Sequence, residues 1–312
     1  MDLAIITVSY NTKQLLADCL ESALAGLDRS GLSGQIWVVD NASSDGSAEM
    51  VRANFANVRL IAHTENLGFA AGNNLALRAM GFGSAVAPRH VLFLNPDTRI
   101  VGDALGTMVR FLDASPGVGA AGPRLVHGDG SFQHSAFAFP GLAQLVLDFF
   151  PIHSRLLNSP LNGRYPRRLY EAALPFVVDH PLGAALMVRG ITLAEVGGFD
   201  ERFFMYCEEI DLCRRIKEQG WDIYCVPGAQ IVHLVGQSTG QFRDQMFVAL
   251  WRSRFLMYDK HQGAAFRWIA RRLVHLGLWT ETRRARAAHR RNQIDSLQFQ
   301  RRLAAYREVA SL

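Results

Sequence analysis

Short apolar runs alternate along this chain with segments whose apolar residues recur every three or four positions. The run 3–10, "LAIITVSY", is β-branched and almost uninterrupted, the pattern of a strand buried on both faces. Behind it Leu15, Leu16, Cys19, Leu20, Ala23 and Leu24 recur at helical spacing, with Asn11 or Thr12 as a cap and Gly26 as a stop. The alternation continues with "QIWVVD" (35–40), the turn "NASSDGS" and a helix over "SAEMVRANF". Next come "VRLIAH" (58–63), a loop entering a helix in "NLGFAAGNNLALRAM", and the strand "HVLFLNPD" (90–97). This repetition predicts an α/β fold with a mostly parallel sheet and crossover helices.

The pattern breaks between 123 and 182, which is rich in Pro, Gly and aromatics and carries one short predicted helix near "GLAQLVLDFF". An excursion this long inside a compact domain is usually functional. Order resumes with a strand at "GAALMV" (183–188), then an acidic helix, then strands at "WDIYCVP" and "AQIVHL". From Gly240 the chain reads as successive helices, with "FRWIARRLVHLGLW" amphipathic and basic. The expected division is a body over 1–239 and a helical, basic extension over 240–312.

Composition narrows the class. A chain of 312 residues with 49% hydrophobic and 20% charged positions is ordinary for a globular protein. No apolar stretch is long enough to span a bilayer. Met1-Asp2 runs directly into "LAIITVSY" without a basic region, so no secretory signal is expected. Four scattered cysteines without a CxxC pair point to a reducing cytoplasm, without a zinc site or disulfide framework. The charge is uneven. From Ala264 onward eleven arginines face three acids, a net +8, which leaves −3 for residues 1–263. A localised basic segment suits a phosphate-bearing partner, or it is a solvated helix packing on the body or on a second subunit as a homodimer.

Ligands of open parallel sheets sit at the carboxyl ends of strands. Those ends carry Ser9-Tyr10-Asn11, Asp40-Asn41 and Asn95-Pro96-Asp97, and the loop before the third helix carries Asn66, Gly68, Gly72, Asn73 and Asn74. One Asp at a strand end is as often a turn or a cap. Repetition on one edge favours a binding rim. GxGxxG and GxxxxGK[ST] are both missing from the first turn, which disfavours dinucleotide and P-loop binding. A phosphate ligand then needs another counter-charge, and Asp97 suits a divalent cation, Mg²⁺ or Mn²⁺, that would bridge to it. His233 follows a strand, where a lone His is more often structural than a ligand.

"FFMYCEEIDLCRR" (203–215) crowds three carboxylates against aromatic surface. Helical spacing pairs Asp211 with Arg214 and Arg215 and sets Glu208 on that side. Glu209 has Leu212 and Cys213 as helical neighbours and is expected to point alone into the apolar side. Desolvation there raises its pKa and suits a general base.

The stretches "ITVSYN", "VVDNASSDGS", "ENLGFAAGNN", "LNPDT", "PLGAALMVR", "GGFDERFFMYCEEIDLCRR" and "IVHLVGQS" occur in this order over residues 3–238. As an ordered set they resemble the inverting glycosyltransferases of family 2, and within them the bacterial rhamnosyltransferases of surface-polysaccharide assembly. The resemblance implies a GT-A fold, Rossmann-like with a helix-flanked sheet. Thr7, Tyr10 and Asn11 would line the nucleotide pocket, and Asp40 would accept from the pyrimidine N3–H. Asn66, Gly68, Asn74 and Asn95 would help seat the donor, and Gly183 and Ala184 would lie beside sugar and acceptor. Asp97 and His233 would hold the cation, and Glu209, with Glu208 sharing the task, would be the base. The chain departs from the family pattern at Asn-Pro-Asp, with one metal carboxylate, and at a Glu where the base is more often Asp.

The donor implied is dTDP-rhamnose, with UDP-galactose or UDP-glucose as the alternative, and the acceptor a glycan or lipid-linked glycan. The tail lies outside those motifs, and its functional reading is attachment to the inner face of an anionic membrane, which the lipid-linked acceptors common in the resembled branch would make useful. Trp268, Ile269, Leu273, Leu276 and Trp279 would form the apolar face of an interfacial helix, and the stretch 142–152 would dip into the same surface. Three rivals carry less. A non-catalytic sugar-nucleotide sensor would need a broken base or metal element. A nucleic-acid binder would rest on charge alone. A nucleotidyltransferase lacks its Gly-rich, Lys-containing signature.

Overall fold

The computed structural model describes residues 1–82, 87–151, 153–234 and 243–312. In chain order the elements are β1 (Leu3–Ser9), α1 (Lys13–Ser30), β2 (Gly34–Asn41), α2 (Ser47–Asn54), β3 (Val58–His63), α3 (Gly68–Ala79), β4 (His90–Leu94), β5 (Thr98–Val101), α4 (Ala104–Ala114) and β6 (Val118–Val126). They continue with β7 (Phe132–Gln133), β8 (Ala136–Phe137), α5 (Leu142–Phe149), α6 (Ser154–Leu157), α7 (Arg167–Glu171), β9 (Phe176–Val177), β10 (His180–Pro181), β11 (Ala185–Arg189), α8 (Gly190–Val196) and α9 (Glu208–Glu218). The last are β12 (Asp222–His233), α10 (Arg243–His261), α11 (Ala264–Arg290) and α12 (Ser296–Ser311).

The main sheet runs β3-β2-β1-β4-β11-β6-β12-β5, with β7 on β6 and β9 on β12. Its first four strands are parallel, as the alternation predicts. β11 then enters antiparallel to both β4 and β6. β1 and β4 are buried along their whole length, so their sequences read as apolar runs and not as alternation. Leu3, Ile5, Leu16, Leu20, Leu92, Leu105 and Met187 share one core.

Three boundaries differ from the sequence reading. α1 does not stop at Gly26 but runs to Ser30, with Gly31 as its left-handed cap. Gly26 instead lets α1 approach Leu105 and Ile100, which a Cβ there would meet at 3.1 and 3.2 Å. The two strands expected over 221–234 are one, because a register shift between Val226 and Gln230 absorbs Pro227 and Gly228 without breaking the strand. β4 ends at Leu94, which frees Asn95-Pro96-Asp97 to form the turn into β5.

The chain divides into two compact units. One holds Met1–Ala138, Tyr165–Phe204 and the stretch from Glu208 through β12. The other holds Phe139–Arg164, Met205–Cys207 and the helices from α10 onward. Part of the central excursion therefore groups with the C-terminal helices, while the 239/240 boundary lies outside the described residues. In the second unit Phe149 stacks on Trp251 at 5.0 Å. Leu145, Leu147 and Phe149 are buried there, so the stretch expected to dip into a membrane spends its apolar side inside the unit. Among the described residues no helix is long and apolar enough to cross a membrane.

Candidate active site

The parallel register sets Ser9 beside Asp40 at the carboxyl ends of β1 and β2. Thr7 is buried below this rim, and Tyr10 is exposed at its edge. Asn11 has a left-handed backbone (φ 53°) and ties the two turns together. Its N–H donates to Ser43 Oγ at 2.9 Å, and its Oδ1 accepts from Ser44 N at 2.8 Å. Asp40 is buried, and its Oδ2 accepts from Ser43 N at 3.0 Å. Its Oδ1 has no hydrogen-bond partner among the described residues. A buried acceptor left over at a strand end is what an N–H of a planar base requires. Asn41, expected at the rim but given no role there, donates Nδ2 to Gly68 O at 2.9 Å and so ties β2 to the start of α3.

That start is a clamp. Asn66 Oδ1 accepts from Gly68 N at 2.9 Å, and Phe69 N donates to Phe204 O at 2.8 Å. Gly68 has φ +82°, and a Cβ there would sit 2.3 Å from Phe204 O. Asn74 corrects an expectation. Its Oδ1 accepts from Phe199 N, and its Nδ2 donates to Phe199 O and Glu201, all at 2.8–3.0 Å. Its amide holds the segment ahead of α9 and is not open to a nucleoside. Gly68→Ala is expected to cost about 2–4 kcal/mol, since it adds a backbone clash to the left-handed penalty. Gly130→Ala, at φ +80° with open space around it, is the control and should cost about 1 kcal/mol. Chemical denaturation checks both, and equal losses would rule out the clash.

Asp97 lies in the β4–β5 turn, 3% exposed, and its Oδ1 has no hydrogen-bond partner among the described residues. The β12–β5 register brings His233 opposite Thr98, which sets His233 Nε2 3.5 Å from Asp97 Oδ1. Gln133 Nε2 lies 3.0 Å from His233 Nδ1. Nothing in the sequence pointed to Gln133, which reaches His233 only because β7 folds back on β6, the neighbour of β12. One carboxylate and one imidazole suit Mn²⁺ or Mg²⁺ when water and substrate oxygens complete the shell. The residues present fit such an ion as a two-donor site. Among the described residues no group of three or more His, Cys, Asp or Glu could hold a metal.

The backbone joins this end to the acidic helix. Asn95 N donates to Ala184 O at 2.9 Å, and a Cβ on Gly183 would lie 3.3 Å from Glu209 Cγ and Cδ. Asp211 is fully buried and bonded to Arg215 at 2.9 Å, and Arg215 also donates to Val196 O and Gly198 O. Asp211 therefore anchors α9, and Arg214 lies against Glu218 at 3.7 Å. Tyr206 (φ 71°) and Cys207 (φ 67°) lead into α9 with left-handed backbones, a strain found preferentially at functional sites.

The expectation that Glu209 alone faces the apolar side is corrected. Glu208 is the more buried, 6% exposed, and its Oε2 has no hydrogen-bond partner among the described residues. Helical spacing sets Glu208 on the side of Asp211, as expected, but that side, which also carries Leu212 and Ile216, is the buried one. Burial, and then the charge of Glu209, pushes the Glu208 carboxyl well above the usual range. Glu209 is half-buried and is also raised by burial, but backbone N–H groups, including those of Ile210 and Gly183, hold its anion and offset part of the rise. The first turn of a helix favours that anion as well.

A raised native pKa means that folding binds the Glu208 proton. The stability it contributes is complete below about pH 4.5 and is lost as pH rises through the native value. Glu208→Gln removes that loss. Its melting temperature should exceed the wild type's by a margin that grows as pH rises above about 4.5. A margin independent of pH would show that Glu208 titrates normally.

A family model described as "Glycosyl transferase family 2" matches residues 4–162. A protein of Mycobacterium tuberculosis named N-acetylglucosaminyl-diphospho-decaprenol L-rhamnosyltransferase is 29% identical over 303 residues, covering 91% of this chain and 95% of that protein. Rhamnosyltransferase WbbL of Escherichia coli K12 is 27% identical over 215 residues, covering 66% of this chain and 72% of that protein. Among solved structures, the mannosyltransferase PcManGT of Pyrobaculum calidifontis, in complex with GDP-Man and Mn²⁺, has a TM-score of 0.56 at 20% identity, covering 99% of this chain and 83% of that one. That likeness shows the fold, GT-A. The family match covers half of the chain, including the Asp40 and Asp97 strand ends, and the chain belongs to glycosyl transferase family 2 and is a glycosyltransferase.

Proposed function

We propose that the chain moves L-rhamnose from dTDP-rhamnose to a hydroxyl of a diphosphate-lipid-linked glycan, inverting the anomeric centre. The reading is carried by the loop pair in which Asn95 bonds Ala184 while Gly183 abuts Glu209. In this reading the turn that would face the diphosphate and the general base Glu209 are joined by one short stretch of backbone. The sugar follows the names of the Mycobacterium and Escherichia relatives, and the acceptor that of the Mycobacterium relative.

In this reading Asp40 Oδ1 accepts from the pyrimidine N3–H, and Thr7, Tyr10 and Asn11 wall the nucleotide. Glu209 takes the proton of the acceptor hydroxyl as that oxygen attacks the anomeric carbon from the side opposite the diphosphate. Glu208, protonated, spares the site a second charge. A divalent cation held by Asp97 and His233 would neutralise charge on the departing diphosphate.

The test is thermal stabilisation by dTDP, UDP, GDP and NAD, each with Mn²⁺, Mg²⁺ or chelator. The reading expects the largest shift with dTDP, reduced by chelation, followed by rhamnose transfer to a synthetic N-acetylglucosaminyl diphospholipid. A preference for UDP moves the donor to a hexose. No shift with any nucleotide well above a plausible Kd overturns it.

A further inference from the structure

α11 has two unlike faces. At about 100° per residue, Ala270, Val274, Gly277, Leu278 and Ala285 share its inner side, and all are buried. The opposite side presents Trp268, Arg272, Leu276, Trp279, Arg283, Arg286 and Arg290, all exposed. Trp268 is 61% exposed, Trp279 54% and Leu276 50%. Leu273, expected on this strip, turns away and is half-buried. Charged residues on an outer face are ordinary, but two indoles and a leucine among them are not.

The arginines are arranged to one end. Arg272 lies over the Trp268 ring at 5.5 Å and Arg283 over the Trp279 ring at 4.3 Å. Beyond Trp279 a cavity of about 370 Å³ is lined by Arg283, Arg286, His289, Arg290 and Phe299. Phe299 of α12 forms its wall, stacked on His289 at 4.6 Å. No carboxylate answers these charges among the described residues. Glu281 pairs with Arg284, and Asp295 caps α12 through Gln298 N at 2.7 Å.

We propose that this outer face of α11 is a docking strip for an anionic lipid bilayer, with the arginine-lined cavity receiving a lipid phosphate. Indole and leucine side chains enter the headgroup boundary, while guanidiniums stay with the phosphates. The exposed aliphatic surface argues against nucleic acid, which would use aromatic faces that Arg272 and Arg283 already cover. The unanswered like charge argues against a second copy on this face, since a symmetric contact would set arginine against arginine. The proposal is independent of the donor and the acceptor, so its failure leaves the glycosyl-transfer reading intact.

The test uses the full chain in vesicle flotation, with phosphatidylcholine alone or mixed with phosphatidylglycerol, at low and high salt. Binding is expected only with phosphatidylglycerol, weakened by salt, with a blue shift of tryptophan emission. Arg283→Gln/Arg286→Gln/Arg290→Gln should bind about 100-fold more weakly, at about a factor of five per charge removed. The matching Lys triple variant should keep most of the affinity. Trp268→Ala/Trp279→Ala should lose roughly tenfold or more together with the blue shift. All five side chains are exposed, so melting temperatures should match the wild type, and transfer to a short-chain soluble acceptor should be unchanged. The proposal is overturned if phosphatidylglycerol vesicles leave the wild type unbound, or if neither the Gln nor the Trp variant weakens binding. Retention by a single-stranded oligonucleotide without vesicle binding overturns it too, as does a dimer that the Trp variant dissociates while vesicles are ignored.

Discussion

Glu209→Gln is expected to lower kcat by about a thousand-fold and to leave the nucleotide-induced rise in melting temperature unchanged. Glutamine keeps the side-chain volume against Gly183, so the loop that bonds Asn95 through Ala184 is not disturbed. Only the ability to take a proton is lost. Glu208→Gln should cost far less, about tenfold, because a carboxyl that already holds its proton gives up little on becoming an amide. The two variants separate the roles that the sequence left shared. The Glu208 carboxyl lies well above the usual range through burial, whereas backbone N–H groups, Gly183 among them, stabilise the Glu209 anion. The acid limb of the wild-type pH–rate profile should accordingly lie above the ordinary carboxylate range, with activity gained as pH rises through it. If Glu208→Gln proves the crippling change and Glu209→Gln the mild one, Glu208 is the base and the two roles are reversed.

How much of this was legible beforehand depends on how local each feature is. The parallel half of the sheet follows from apolar runs and helical spacing, since β1 and β4 bury both faces and carry no alternation to confuse them. Asp40 and Asp97 were legible because each stands where an apolar run ends. β11 between β4 and β6 was not, because a five-residue strand says nothing about its neighbours. Gln133 was invisible, since its meeting with His233 is made by strand pairing across a hundred residues of chain. Asn74 looked like a ligand because an exposed and a committed amide read alike in sequence. Only the return of Phe199 and Glu201 shows where its hydrogen bonds go. The reversed burial of the Glu208–Glu209 pair has the same origin. Helical spacing groups Glu208 with Asp211, Leu212 and Ile216, but only the packing around α9 shows that this face is the buried one.

Asp97→Asn should lower kcat/KM by about a thousand-fold and abolish the Mn²⁺-dependent part of nucleotide binding without destabilising the free protein. The two halves of this expectation come from the same atom. Asp97 Oδ1 is buried, 3.5 Å from His233 Nε2, and has no hydrogen-bond partner among the described residues. A buried carboxylate oxygen in that condition costs the native state its desolvation. Replacing the charge by an amide of equal size relieves that cost, so the free variant should melt no lower than the wild type. A residue kept for folding would behave in the opposite way. His233→Ala should reproduce the metal defect, but it also strips Gln133 of its partner at 3.0 Å and so should cost some stability. In the double variant the losses in Mn²⁺ response should not add, because one missing ligand already empties a two-donor site. Calorimetric titration of Mn²⁺ into each variant with dTDP or UDP present reads this directly. Mn²⁺ binding retained by Asp97→Asn at wild-type strength would remove Asp97 from the metal role and leave its buried, unpartnered oxygen to be explained by the sugar instead.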